Sequence, residues 1–214
     1  MASRAPGLHA LRSVSADPDA ARTPLPPMAI KATIYKATLQ LADMDRGLYG
    51  DHSVTLARHP SETDERMLIR LLAFALNVPD NDTHGPLEFA KDMWNADEPA
   101  LWQKDLTGQI EHWIDVGQPD EKRLLRAATQ ARRASAYSFS TSTGTWWSGI
   151  ATKVTRARNL TIWQVPAEQS QALAALAQRT MTLQVTVQDG ATWVGDGSRS
   201  IEVTPVRLYG DPAP

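Results

Sequence analysis

The chain contains no cysteine. Disulfides, a thiolate nucleophile, zinc–thiolate centres and iron–sulfur clusters are therefore excluded. The composition fits a reducing compartment, and a cytoplasmic location is expected. Long apolar runs are missing as well: no window approaches the roughly 18 residues that a membrane span needs, so no membrane partner is expected. Excess positive charge is also absent, because 22 Lys and Arg stand against 24 Asp and Glu for a formal net charge of −2. No global field draws such a chain to nucleic acid, and any contact of that kind needs a local patch. The usual catalytic signatures are scarce. His9, His52, His59, His84 and His112 form no helical i, i+4 metal pair and no His-Glu-x-x-His. There is neither a phosphate-cradling glycine loop nor a Gly-x-Ser-x-Gly elbow.

What is present is ordinary globular material: 214 residues, 42% hydrophobic and 21% charged, enough to bury a core without crosslinks. Residues 1–27 are rich in Ala, Arg, Pro and Ser and end in Pro24-Leu25-Pro26-Pro27. They lack an apolar h-region and read as a disordered extension rather than a secretory signal. Met28 opens a strand pattern, so residues 28–209 are expected to form one domain, a monomer, with 210–214 as a frayed tail.

Ile30–Leu41 alternates as a strand, a turn is expected through Asp43–Gly50, and Ser53–Arg58 reads as the partner strand of a hairpin. Ser61 suits an N-cap, with Glu62, Asp64 and Glu65 near the positive end of the helix dipole. Met67, Leu68, Leu71, Leu72, Ala75 and Leu76 then give one apolar face as far as Asn77. Pro79–Pro86 is a loop. Leu87–Met93 and Ala100–Lys104 are strand candidates. Ile110–Val116 alternates clearly, with Glu111, Trp113 and Asp115 on one face. Gly117 and Pro119 end it, and a helix is expected over 119–134, followed by a strand at Ala136–Ser140. Beyond lie a helix at Thr145–Val154, a strand at Leu160–Val165, a helix at Ala167–Arg179, and a closing meander of Met181–Val187, Thr192–Val194 and Ser200–Val206. Gln188-Asp189-Gly190 carries a hairpin turn signal. The pattern is α/β (α+β): a mixed central sheet flanked by helices.

The chemistry available is that of carboxylates and lysines. Asp115 sits where a strand ends and a helix begins, a place where α/β sheets hold ligands. A carboxylate there suits Mg²⁺, a hard cation that prefers oxygen. The same face also fits a half-solvated strand whose acids point at water. Glu111 lies four residues away, about 13 Å along a strand, too far to share one ion. A second ligand must come from a neighbouring element, either Glu65 or the Asp97-Glu98 pair. On the following helix Arg123, Arg126, Gln130 and Arg133 fall on one polar face with Lys122 beside them, a solvated face or a phosphate contact.

Several stretches match a known family. Lys31-Ala-Thr-Ile-Tyr-Lys-Ala-Thr38, Leu56-Ala-Arg-His-Pro-Ser-Glu-Thr63 with Glu65-Arg-Met67, and Asp97-Glu-Pro99 are three of them. Trp113-Ile-Asp115, Gly117, Pro119-Asp-Glu121, Thr129-Gln130, Arg179-Thr-Met-Thr-Leu-Gln184 and Gln188-Asp-Gly190 continue the match. From Met28 to about Leu208 the chain resembles the bacterial YaeQ family, which looks like a variant of the PD-(D/E)xK nuclease superfamily. The resemblance implies an αβββαβ core, with the N-terminal hairpin and C-terminal meander as additions. It also implies Mg²⁺-dependent hydrolysis of nucleic acid. Glu65 resembles the helix acid, with Glu62 as the alternative, and Asp115 the acid of the (D/E)xK element. Glu98 or Glu111 would be the further metal ligand, and Gln130 resembles a glutamine of the following helix. The pattern departs at position 117, where glycine stands in place of the lysine. Lys122 and Lys104 are candidate substitutes. Pro119-Asp120 lies on the wrong side of the strand for the Pro-Asp pair. The competing expectation is a degenerate nuclease fold that binds nucleic acid or a protein without cutting.

Overall fold

The structure, a computed structural model, describes Met1 and residues 31–211. The expected extension at 1–27, the strand opening at Met28–Ile30 and the end of the expected tail fall outside the described residues. β1 (Thr33–Asp43) and β2 (Leu48–Arg58) form an antiparallel hairpin paired from Thr33↔Arg58 to Asp43↔Leu48. The expected turn over 43–50 is tighter than its composition suggested, because Tyr49 and Gly50 are already opposite Ala42 and Leu41.

α1 (Asp64–Asn77) starts two residues later than Ser61 would have it. Thr63 is the cap, its hydroxyl accepting the Arg66 amide at 3.1 Å. Residues Met67–Ala75 are all buried, and α1 shares one hydrophobic core with strands on both sides of it. β3 (Leu87–Phe89) is shorter than the expected 87–93, because a single 3₁₀ turn at Asp92–Trp94 follows, with Asp92 at a positive φ of 48°. β4 (Leu101–Lys104) and β5 (Ile110–Val116) follow the reading. Gln103 pairs with His112 and Lys104 with Ile110, so Glu111 is a bulged residue with no partner on β4.

α2 (Glu121–Gln130) is capped by Asp120, which accepts the Arg123 amide at 2.8 Å. It was expected to run on to residue 134. Instead β6 (Ala131–Ser138) begins at the next residue. Asn159 Nδ2 gathers the carbonyls of Ala128, Ala131 and Arg132 at 2.9–3.2 Å, and parallel pairing with β5 starts at Ile110↔Ala131. These bonds outweigh the helix propensity of Ala and Arg. Arg133 therefore sits on a strand. α3 (Thr143–Ile150), β7 (Leu160–Gln164) and α4 (Ala167–Ala174) follow, both helices shorter than expected.

β8 (Thr180–Gln188) and β9 (Ala191–Gly195) form a hairpin through Asp189 (φ 53°) and Gly190 (φ 76°), the two positive values that its tight turn requires. β10 (Ser200–Val203) and β11 (Val206–Tyr209) complete the chain. The single central sheet of the sequence reading is in fact two sheets, ordered β10-β9-β8-β1-β2 and β11-β7-β6-β5-β4-β3. β8 does not simply extend a meander: it pairs parallel to β1 from Lys36↔Thr180 to Asp43↔Val187. α1 lies in the core between the sheets, while Trp113, Leu124, Ala134, Ile150 and Ile162 belong to a second core with α2 and α3. Among the described residues no helix is long and apolar enough to cross a membrane.

Candidate functional site

Asp115 lies near the end of β5 and is 3% exposed. Alternation puts Trp113 on the same face, and the indole Nε1 donates to Asp115 Oδ2 at 3.0 Å. Arg123, one turn into α2, closes a fork on the carboxylate: Nε to Oδ2 at 3.0 Å and Nη2 to Oδ1 at 2.7 Å. The same guanidinium donates to the carbonyls of Ala96 and Glu98, fastening the loop before β4. Burial pushes the Asp115 carboxyl above the ordinary range. Arg123 and then Trp113 pull it back, and the nearby Asp92 adds to the rise.

A second network adjoins the first. Arg66 on α1 bonds Glu62 at 2.8 Å and forks onto Asp92 at 2.6 and 3.0 Å. Its Nη2 also reaches the Val116 carbonyl at 3.1 Å, joining α1 to the end of β5. Arg70, one turn on, bonds both oxygens of Glu62 at 3.0–3.1 Å, approaches Asp92 at 3.8 Å and covers the Phe89 ring. Glu62 is 2% exposed and Arg70 3%. Three acids (Glu62, Asp92 and Asp115) thus meet three arginines (Arg66, Arg70 and Arg123). Charges this buried need such partners to remain ionised.

Of the expected site residues, Asp115 and Glu62, the alternative helix acid, are in this cluster, and the others are not. Glu65 faces the other way and accepts a short hydrogen bond from Ser170 of α4. Glu98 accepts from the Lys91 amide and Asn95 Nδ2, each at 3.0 Å. Burial would raise the Glu98 carboxyl, but these donors together hold it below the usual range. Glu111 pairs with Arg132 at 3.2 Å. Lys122 and Gln130 are exposed, and the Gln130 carbonyl accepts from Gln109. Lys104 lies over the Trp102 ring at 3.1 Å. Arg126 is engaged with Asp97 at 2.7 Å, so the arginine face of α2 is tied down by the loop at 96–98.

Mg²⁺ requires a near-octahedral oxygen shell. Both Asp115 oxygens already accept N–H bonds, and Glu65, Glu98 and Glu111 are committed elsewhere. Among the described residues no three His, Cys, Asp or Glu side chains are grouped to hold a metal. This donor set does not fit the ion. Gly117 has a physical reason for its identity: its φ is 113°, a conformation that a lysine would adopt only under strain, although no atom blocks a Cβ there. The reading from sequence missed Arg66, Arg70 and Asp92. The i, i+4, i+8 spacing of Glu62, Arg66 and Arg70 was the available signal. Asp92 had none, because a 3₁₀ turn brings it in.

The sequence model of one family, described as YaeQ protein, matches residues 28–205. The YaeQ protein of Escherichia coli (strain K12) is 42% identical over 177 residues, spanning 82% of this chain and 95% of that protein. The YaeQ protein of Salmonella typhi is 41% identical over the same length, with the same coverage. Among solved structures, the YaeQ protein from Xanthomonas axonopodis pv. citri superposes with a TM-score of 0.79 at 43% identity, covering 85% of this chain and 100% of that one. The YaeQ protein from Pseudomonas syringae gives a TM-score of 0.78 at 36% identity, covering 84% and 97%.

Proposed function

The chain belongs to the YaeQ protein family, and from that premise we propose that it binds single-stranded nucleic acid without hydrolysing it, on a nuclease-like core whose acids are neutralised by arginine. The observation that carries the reading is the state of Asp115, whose two oxygens are taken by Arg123 and Trp113. The order helix, three strands, helix, strand from α1 to β6 agrees with the core that the family resemblance implies. Around the neutral cluster the surface offers what a single strand uses. Trp94, two residues from Asp92, is 38% exposed and packs edge-on against His59. Lys91, whose amine lies 3.7 Å from Glu98, and Lys122, at the start of α2, are both exposed. Aromatic faces stack bases and cations follow the backbone, the usual combination for sequence-tolerant binding.

The test is a binding titration with a fluorescent single-stranded oligonucleotide, at several salt concentrations, with and without Mg²⁺. Expected are binding that weakens with salt, indifference to Mg²⁺, an intact oligonucleotide, and a loss of roughly tenfold in Trp94→Ala, in line with about 1–3 kcal/mol per stacked base. No binding at low salt would end the proposal. The competing reading, Mg²⁺-dependent phosphodiester hydrolysis through Asp115, is supported by that residue's position at the junction of β5 and α2. It gains if wild type nicks the strand with Mg²⁺ and Asp115→Asn does not.

A further inference from the structure

A cleft of about 970 Å³ opens between the two sheets beyond the last turn of α1, within the size range of small-molecule sites. It lies at the carboxyl end of α1, at Leu76–Val78, whereas Arg66 and Arg70 of the acid–arginine cluster are in the amino half of that helix. Its acids are nearly all engaged. Asp43 pairs with Arg46 at 2.6 Å, Asp45 accepts the amides of Asp189 and Gly190, and Glu111 Oε1 lies 3.2 Å from the exposed Arg132 without a hydrogen bond. Asp80 accepts from Asn81 at 2.8 Å.

Arg133 differs. Its side chain lines the cleft, and among the described residues it has no carboxylate partner. Its one polar contact is Nη2 to Nδ1 of His112 at 3.0 Å. That contact fixes a direction of donation. Nδ1 must accept from the guanidinium, so the ring proton is on Nε2 and is given to Ser135 Oγ at 2.8 Å. Burial, reinforced by Arg133, holds His112 well below its ordinary value, so the ring is neutral. With its oxygen already accepting, Ser135 has its own O–H to offer.

Tyr137 repeats the arrangement. Its oxygen accepts from Asn77 Nδ2 at 2.8 Å, leaving the phenolic proton to donate. Arg133, Ser135 and Tyr137 alternate along β6 and so face the same way, about 6.6 Å between neighbours. All three line the cleft. From the facing sheet comes Thr192, 1% exposed, whose hydroxyl is buried without a hydrogen-bond partner. Trp163, stacked on Tyr137, and Leu76 give the same space an apolar wall.

We propose that this cleft binds a small aromatic or apolar molecule bearing one oxyanion, held by Arg133 with the hydroxyls of Ser135 and Tyr137. The site needs no nucleic acid and no metal, and it does not rest on the function proposed above. A guanidinium fork matches a carboxylate or a phosphate, so the probes separate the two. Benzoate, phenyl phosphate and inorganic phosphate are titrated into the full chain at constant ionic strength, reading thermal midpoint and tryptophan fluorescence.

One of the two aromatic anions is expected to raise the midpoint by about 2–4 °C at saturation, the shift for about 1 kcal/mol in a domain of this size. Inorganic phosphate should do less, lacking the apolar part. Arg133→Gln should abolish the shift while leaving the ligand-free midpoint unchanged or higher, because a half-buried charge without a carboxylate partner has been removed. Tyr137→Phe, which keeps the ring stack, should weaken the aromatic anion about tenfold. The proposal is overturned if neither aromatic anion moves either signal. It is equally overturned if the shift survives in Arg133→Gln, or if that variant loses several degrees without ligand, as a purely structural arginine would.

Discussion

At the carboxyl end of β5, Arg66, Arg70 and Arg123 all meet acids within 3.1 Å. At the amino end of the adjoining β6, Arg133 meets only a neutral imidazole. The same side chain serves opposite ends. Where each guanidinium has a carboxylate, the desolvation of both is offset internally, and the residues act as fasteners between α1, β5 and α2. Where a guanidinium is left over, the energy to satisfy it has to come from outside the chain. The contrast separates a cluster that looks catalytic in sequence but is closed in space from a cleft that looks unremarkable in sequence but is open.

The largest effect that would break the comparison is on the closed side. Glu62→Gln leaves Arg66 and Arg70 short of a charge in a buried place and should cost about 3–5 kcal/mol in urea unfolding. A loss near zero would mean that the network is not a fastener. Asp115→Asn is next, at about 1–3 kcal/mol, since Trp113 and one face of Arg123 can still bond the amide oxygen. The double variant with Arg123→Gln should be less destabilised than the sum of the singles, the mark of a direct pair.

The smallest effect sharpens the open side. His112 is held below its ordinary value by burial and by Arg133. The unfolded chain therefore binds a proton near pH 6.5 that the folded chain refuses, so this residue's contribution to stability is full above about pH 6.5 and is lost as pH falls below it. His112→Gln should flatten the stability profile between about pH 5 and 7. An unchanged slope would mean that the imidazole is not buried neutral beside Arg133.

Much of this frame was legible in the residues. The apolar stripe of α1, the alternation of β5 and the Asp189-Gly190 turn each carry a local cause, and each appears where it was read. The pairing of Trp113 with Asp115 follows from the same alternation. What was not legible depended on partners distant in the chain. Ala131–Ala134 was read as the end of a helix and is instead the start of the strand expected from Ala136, because β5, β7 and Asn159 supply bonds from outside it. That one change moved Arg133 from a supposed phosphate-binding helix into the cleft. Glu65 was assigned by its position on a helix, but the direction it faces was decided by Ser170, 105 residues later. Asp92 entered the cluster through a positive φ that no propensity scale anticipates.

The parallel ladder between β1 and β8 joins residues near 40 to residues near 184. During synthesis the first hairpin leaves the ribosome with its inner edge bare, and its neighbour emerges well over a hundred residues later. At about 5–20 residues per second, that edge waits many seconds for its mate. Domains whose contacts span such distances assemble slowly, and an unoccupied strand edge is a template for other chains. The alternating threonines, lysine and glutamine of β1 therefore guard a nascent chain as well as decorate a finished one.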